Sequence, residues 1–156
     1  MNTFTWESKS EDDTRRLGKA LAKTLPPGTV VALNGTLGAG KTRLVKAMAE
    51  ALGIPPEEVI SPTFVIMQQY FGTKTLYHFD VYRIKDDDEF LELGPEEYFD
   101  SQGITLLEWA DRVENCLPRD YVRITAEVVG ETQRRFAIEA VGKLYTDLPD
   151  QIAEAI

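Results

Sequence analysis

The pattern of apolar and polar residues predicts helices that alternate with short strands. Over Glu11–Leu25, apolar residues recur at the spacing of one helix face, and Ser10 in front of them is a typical N-cap. The run Thr29–Asn34 is almost continuously apolar and rich in β-branched residues, which predicts a strand buried on both faces. A second helix with one apolar stripe is predicted over Lys41–Leu52.

The second half of the chain adds more strands than helices. Five runs have the length and alternation of strands: Thr63–Phe71, Thr75–Tyr82, Gly103–Trp109, Tyr121–Val129 and Arg135–Ala140. The first two are joined at Gly72–Lys74 and the last two at Gly130–Gln133, which predicts two hairpins. A short acidic helix is predicted over Asp86–Leu93. The tail, Leu144–Ile156, has spaced apolar residues and predicts a helix that docks only loosely.

The composition is that of an ordinary globular protein. The chain has 156 residues, the length of about one domain, with 43% hydrophobic and 28% charged residues. Cys116 is the only cysteine, which excludes a disulfide scaffold. No stretch approaches the roughly 20 apolar residues of a membrane span, and the first residues lack the features of a signal peptide. We therefore expect one cytoplasmic domain, residues 1–156, with no membrane partner.

The charge balance is strongly acidic. The chain carries 17 Lys and Arg against 26 Asp and Glu, a net charge of −9. Proteins that bind nucleic acid neutralise its phosphates with Lys and Arg, and this chain has no basic tract. The sequence therefore disfavours direct nucleic-acid binding but leaves room for a pocket that takes one small phosphate ligand.

A glycine-rich motif follows the first buried strand. It matches the pattern G-x-x-x-x-G-K-[ST] and consists of Gly35, Thr36, Leu37, Gly38, Ala39, Gly40, Lys41 and Thr42. Glycines let backbone N–H groups approach a phosphate, the lysine reaches the β- and γ-phosphates, and the threonine hydroxyl binds Mg²⁺. A strand before the motif and a helix after it favour a nucleotide site. The predicted fold is α/β: a single-domain, P-loop NTPase-like three-layer sandwich with a mixed, partly parallel sheet.

Two acidic residues are candidates to complete such a site. Glu108 ends the predicted strand Gly103–Trp109, where phosphate-loop enzymes place a carboxylate for Mg²⁺; a solvated charge at a strand end is the alternative. Asp80 is a candidate for the metal or for positioning the attacking water, and a surface carboxylate is its alternative. His78, the only histidine, shares a strand face with Asp80, and we interpret it as a packing or hydrogen-bonding residue.

The motif alone leaves several classes of phosphate-loop protein open. A GTPase is disfavoured because no asparagine begins an N-K-x-D motif. A small-molecule kinase stays open, since several arginines are available to clamp a phosphate. A nucleotide-gated binding module without useful turnover also stays open. No arginine stands in a recognisable finger motif, so we expect slow hydrolysis unless a partner completes the site.

Four sequence blocks, in this order, resemble the TsaE family. They are Leu33–Thr42, Ser61–Phe64 (Ser-Pro-Thr-Phe), His78–Arg83 (His-Phe-Asp-Val-Tyr-Arg) and Glu108–Trp109. The glycine-rich block is generic, whereas the other three in this combination are specific. The resemblance runs from about Thr14 to about Glu114, and the segment after Cys116 matches weakly. Thr36 stands where the family usually has an acid.

The resemblance implies a function and a set of partners. The family hydrolyses ATP to ADP and phosphate in bacterial tRNA threonylcarbamoyladenosine synthesis. It works with TsaB and TsaD proteins, so tRNA would be contacted only indirectly. We expect the partner surface near Ser61–Phe64 and His78–Arg83, and not on the hairpin Tyr121–Ala140.

The resemblance also assigns roles to individual residues. Thr42 and Glu108 would hold Mg²⁺, Lys41 would contact the phosphates, and Asp80 would be a catalytic acid near the γ-phosphate. Ser61–Phe64 would be a switch loop that senses that phosphate, and Trp109 would border the site. For the adenine, the resemblance suggests Ser10, Thr14 and Thr132.

Overall fold

The computed structural model describes residues 3–36, 38–59 and 66–156. Its strands are β1 (Thr3–Ser8), β2 (Val30–Gly35), β3 (Met67–Phe71), β4 (Thr75–Asp80), β5 (Ile104–Glu108), β6 (Tyr121–Val128) and β7 (Arg134–Val141). Its α-helices are α1 (Glu11–Thr24), α2 (Lys41–Ala51), α3 (Asp87–Leu91), α4 (Pro95–Phe99) and α5 (Leu148–Ala155). Short 3₁₀ helices lie at Pro56–Glu58 and Ala110–Cys116.

Within the described part of the chain, seven strands form one sheet in the order β1-β7-β6-β2-β5-β4-β3. The four central strands, β6, β2, β5 and β4, are parallel to one another. The outer strands β7, β1 and β3 run antiparallel to their neighbours. The prediction of a mixed, partly parallel sheet is confirmed.

Helices cover both faces of this sheet. Val31 and Leu33 of β2 point into the core that contains α1, α2 and α5. Val30 and Ala32 alternate with them and point into a second core on the opposite face, which contains residues of α3 and of the Ala110–Cys116 segment. The continuous apolar run of β2 is therefore explained by burial on two sides, and the layers are helix, sheet and helix.

Helices α1 and α2 pack closely because one of them presents a glycine. A Cβ atom added at Gly18 would lie 2.5 Å from the Cβ of Ala47. At its start, α1 is capped as predicted: the Ser10 hydroxyl accepts a hydrogen bond from the Asp13 amide at 3.2 Å. This capping fixes the first turn of α1 beside the end of β1, at one end of a cleft.

Several sequence expectations are corrected by the structure. Strand β1 was not predicted, although Phe4 and Trp6 alternate with polar residues in the way that marks a strand. The prediction of a loosely docked tail is wrong, because Leu148 and Ile152 of α5 are buried in the core beside α1. Strand β4 is buried on both faces, since His78 is as fully buried as Phe79.

One predicted element is described only in part. Residues Thr63–Val65 of the first hairpin strand lie outside the described residues, and strand β3 is described from Met67 onward. The antiparallel pairing of β3 with β4 confirms the hairpin itself. Among the described residues, no helix combines the length and apolarity that crossing a membrane requires.

Candidate functional site

The glycine loop, Gly35–Thr42, connects the end of β2 to the start of α2. Gly35, Gly38 and Gly40 all have positive φ angles, of 145°, 78° and 100°. A Cβ atom at Gly35 would lie 2.5 Å from the Ala126 carbonyl oxygen, so no larger residue fits there. The Ala39 amide donates to the Thr36 carbonyl at 3.1 Å and closes the turn. Leu37 lies outside the described residues.

Lys41, the first residue of α2, is a cation with only 5% of its surface exposed. Its Nζ donates to the Gly35 carbonyl oxygen at 2.5 Å and lies 3.4 Å from the centre of the Trp109 ring. Burial lowers the pKa of the Lys41 ammonium, and the charges of Glu108 and Asp80 partly oppose that effect. A buried ammonium on a glycine loop is a site that favours an anion.

Glu108 ends β5 and is 2% exposed. Its Oε1 lies 3.4 Å from the Thr42 hydroxyl, and its Oε2 lies 2.5 Å from His78 Nε2. The hydroxyl and the carboxylate form a set of hard oxygen donors that suits Mg²⁺ better than softer metals. No group of three or more His, Cys, Asp or Glu side chains with metal-binding geometry occurs in the described residues.

Asp80 ends β4 and lies opposite Glu108 in the register of the two parallel strands. Its Oδ1 accepts a hydrogen bond from the Tyr82 amide at 2.9 Å. Burial raises the pKa of the Asp80 carboxyl, and the nearby Glu108 charge raises it further, against the opposing effect of the Tyr82 hydrogen bond. The alternative prediction from the sequence, that Asp80 is a surface carboxylate, is therefore wrong.

A cleft of about 800 Å³ brings most of the predicted residues together. The predicted residues that line it are Ser10, Thr14, Gly38, Ala39, Gly40, Lys41, Thr42, Asp80, Glu108, Trp109 and Thr132. They come from the start of α1, the glycine loop, the ends of β4 and β5, and the turn between β6 and β7. The switch-like segment Ser61–Phe64 lies outside the described residues. The functional roles assigned to the lining residues remain predictions.

Trp109 borders this cleft in an uncommon backbone conformation. Its φ of 63° is the only positive value at a non-glycine residue in the described part of the chain. The ring packs on Tyr82 with centroids 4.8 Å apart, and the Arg112 guanidinium lies 4.9 Å from the Tyr82 ring centre. The indole lies over the Lys41 ammonium and also packs against the second core, so Trp109 stands at the border between the core and the cleft.

Comparison with known proteins identifies the family. Residues 8–136 match the family described as "Threonylcarbamoyl adenosine biosynthesis protein TsaE". The chain belongs to the TsaE family. A relative from Bacillus subtilis, named tRNA threonylcarbamoyladenosine biosynthesis protein TsaE, is 40% identical over 98% of this chain and 96% of its own length. A relative of the same name from Treponema pallidum is 40% identical over 84% of this chain and 96% of its own length.

A solved structure supports the TsaE fold over the whole chain. The crystal structure of Bacillus subtilis YdiB matches with a TM-score of 0.82 and 34% identity. The match covers 98% of this chain and 95% of that one. The fold and the family predicted from the sequence are therefore confirmed, including the segment after Cys116 that resembled the TsaE family only weakly.

The contacts made by Arg134 and Ser8, which line this TsaE site, were not predicted from the sequence, although Arg134 was among the arginines considered as phosphate clamps. Arg134 donates from Nε to the Gly38 carbonyl at 3.1 Å and from Nη1 to the Gln133 carbonyl at 2.9 Å. These bonds connect the turn between β6 and β7 to the glycine loop, and no local sequence pattern predicts such a contact. The buried hydroxyl of Ser8 lies 2.7 Å from the hydroxyl of Thr14. Ser8 is the last residue of β1, the strand that the alternation of Phe4 and Trp6 with polar residues indicates.

Proposed function

We propose that this chain is a Mg²⁺-dependent ATPase that acts in tRNA threonylcarbamoyladenosine biosynthesis with TsaB-like and TsaD-like proteins. Membership of the TsaE family supports the pathway. The chemistry of the cleft supports the ATPase. The partners are an expectation of the family resemblance, and the net charge of −9 favours indirect contact with tRNA.

The buried ammonium of Lys41 is the observation on which the proposal rests. It sits at the N-terminus of α2, where backbone N–H groups and the helix dipole also favour negative charge. Gly38 and Gly40 keep the loop backbone uncovered, and a Cβ atom at Gly38 would meet nothing within 4 Å. A polyphosphate is the anion that fits a lysine, a helix N-terminus and an open backbone loop together.

Thr42 and Glu108 are the residues that would hold Mg²⁺. The distance of 3.4 Å between the hydroxyl and Oε1 places two oxygen donors on one side of the same cleft. Bound Mg²⁺ would supply positive charge to the phosphate oxygens. Glu108 is the more buried donor, and its carboxylate would be fixed before nucleotide enters.

Asp80 is suited to orient a water molecule toward the terminal phosphate. Its Oδ1 is engaged by the Tyr82 amide, so Oδ2 is the oxygen that would accept a hydrogen bond from water. A carboxyl whose pKa is raised by burial is also a better proton acceptor when it is ionised. In this proposal, Thr42 and Glu108 bind the metal and Asp80 positions the water.

The arginines of the cleft support slow hydrolysis by the chain alone. Among the described lining residues, Arg43 is paired with Glu11 at 2.9 Å and Arg134 is bonded to the Gly38 carbonyl. Both guanidinium groups are therefore already engaged by protein groups. Since an arginine finger contributes about 10³–10⁵ in rate, a partner that supplies or repositions positive charge would accelerate turnover strongly.

ATP turnover with product analysis tests this proposal. We expect ADP and inorganic phosphate as the only products, a rate far below about 10 s⁻¹ alone, and faster turnover with the TsaB–TsaD pair at equal Mg²⁺. Stoichiometric phosphorylation of a small acceptor would instead identify a kinase. Tight nucleotide binding with no turnover under either condition would identify a nucleotide-gated binding module.

A further inference from the structure

His78 and Glu108 form a contact that the proposed chemistry does not use directly. His78 Nε2 lies 2.5 Å from Glu108 Oε2, and the two side chains are 0% and 3% exposed. The residues come from adjacent parallel strands, where His78 pairs in register with Leu106, two residues before Glu108. Both side chains therefore project from the same face of the sheet, below the cleft.

The contact divides the two oxygens of Glu108 between two partners. Oε2 is held by the imidazole, and Oε1 faces the Thr42 hydroxyl at 3.4 Å. A carboxylate can only accept hydrogen bonds, so Nε2–H donates. With one oxygen fixed, the carboxylate cannot rotate about its last torsion without losing that hydrogen bond, and Oε1 stays directed at Thr42.

The far side of the imidazole makes no comparable contact. His78 Nδ1 is buried and has no hydrogen-bond partner among the described residues. Tyr70 lies beside the ring, with centroids 6.2 Å apart. If packing were the only role of this residue, an apolar ring would fill the same space without burying an unsatisfied nitrogen. The hydrogen bond from Nε2 to Glu108 is what a histidine adds at this position.

We infer that His78 is a positioning residue that orients Glu108 for the metal. The imidazole does not line the cleft, so it would act through the Glu108 carboxylate. Partners behind a metal ligand fix its orientation and raise its basicity, and their loss typically costs about 10- to 100-fold in metal affinity. This inference rests on the proposed role of Glu108 in holding Mg²⁺, and the experiment separates failure of one from failure of the other.

Two substitutions at His78 distinguish positioning from packing. In His78→Gln, the amide nitrogen takes approximately the place of Nε2 and retains the donor to Glu108. In His78→Asn, the amide takes approximately the place of Nδ1, where no partner lies, and cannot reach Oε2. Both variants introduce a polar amide at the same buried position, so their stabilities should be similarly lowered while their metal sites differ.

Electron paramagnetic resonance measures the affinity of Mn²⁺ for the protein–ADP complex. A separate titration with a chelator present measures the affinity for ADP without metal. We expect His78→Asn to weaken Mn²⁺ binding by about 10- to 100-fold, His78→Gln to keep most of the affinity, and metal-free ADP affinity to stay unchanged in both. Thr105→Val is the control, since its buried hydroxyl on β5 also has no partner among the described residues.

Each outcome bears on one of the two claims. Equal Mn²⁺ affinity in folded His78→Asn and His78→Gln would overturn the positioning role. Loss of metal-free ADP affinity in parallel with Mn²⁺ affinity would also overturn it, because the site as a whole would then be damaged. Unchanged Mn²⁺ binding in Glu108→Gln would overturn the proposed metal role of Glu108 itself.

Discussion

Asp80 and Glu108 lie directly opposite each other at the carboxyl ends of β4 and β5. Because the strands are parallel, both carboxylates line the same cleft, yet their surroundings differ. Glu108 is almost fully buried and bonded to His78, whereas Asp80 is half-buried and bonded to the Tyr82 amide. Two neighbouring acids in unequal environments are suited to unequal roles.

Because the two acids have different roles, Glu108→Gln and Asp80→Asn should affect different steps. Glu108→Gln should weaken the Mg²⁺ dependence of nucleotide binding, because an amide is a poorer metal ligand than a carboxylate. Asp80→Asn should leave ADP affinity unchanged and abolish ATP turnover, since it acts on the side of the γ-phosphate. Calorimetric titration of ADP with and without Mg²⁺, combined with a phosphate-release assay, measures both.

Exposed Asp100→Asn is the matched control for these variants and should behave as the wild type in both assays. Full ATPase activity in Asp80→Asn would contradict the water-positioning role. Wild-type Mg²⁺ dependence in Glu108→Gln would contradict the metal role.

The raised pKa of Asp80 predicts a pH-dependent cost to stability. The folded state favours the neutral carboxyl, so stability is highest below the ordinary aspartate pKa and falls as pH rises through the raised value. Asp80→Asn removes the ionisation, and its amide oxygen can still accept from Tyr82. The variant should be more stable than the wild type at about pH 7, with a difference that disappears toward about pH 3, below the ordinary aspartate pKa. Urea unfolding across this pH range measures it, and a difference independent of pH would contradict the account.

Local sequence features predicted the glycine loop and the position of Glu108. Lys41 and Thr42 follow a buried strand and begin a helix, and Glu108 ends an apolar run, so their placement depends on nearby residues. The bond between His78 and Glu108 depends on the pairing of strands 30 residues apart, which no local pattern specifies. The docking of Ile152 against α1 depends on long-range packing in the same way, and the predicted loose tail was wrong for that reason.

Trp109 predicts an optical signal for nucleotide binding. Its ring covers the Lys41 ammonium at 3.4 Å, so a phosphate that reaches Nζ must change the surroundings of the indole. The chain has two tryptophans, and Trp6→Phe leaves Trp109 as the reporter. Titration of ADP into Trp6→Phe should give a saturable change in tryptophan emission, whereas Trp109→Phe should give little. If calorimetry shows that Trp6→Phe binds ADP but its tryptophan emission does not change, the phosphate must lie away from Lys41.

Gly18 predicts a stability effect of unusual sign. In an exposed helix, replacing glycine by alanine adds about 0.5–1 kcal/mol of stability. At Gly18 the new methyl would lie 2.5 Å from the Ala47 Cβ, so overpacking should cost about 1–3 kcal/mol instead. Denaturant unfolding of Gly18→Ala tests this, with exposed neighbour Lys19→Ala as the control. A stabilised Gly18→Ala would show that α1 and α2 pack less closely than described.

Calorimetric titration of ADP and ATP into Lys41→Ala is the sharpest test of a nucleotide site at the glycine loop. Loss of the charge-assisted contact, worth roughly 1.5–3 kcal/mol, should reduce affinity by at least about 10-fold in a folded variant. Lys74→Ala is the matched control, because Lys74 is another partly buried lysine whose Nζ bonds the Ala22 and Leu25 carbonyls outside the cleft. We expect weak nucleotide binding in Lys41→Ala and wild-type binding in Lys74→Ala. Unchanged ADP and ATP affinity in a folded Lys41→Ala protein would contradict a nucleotide site at the glycine loop.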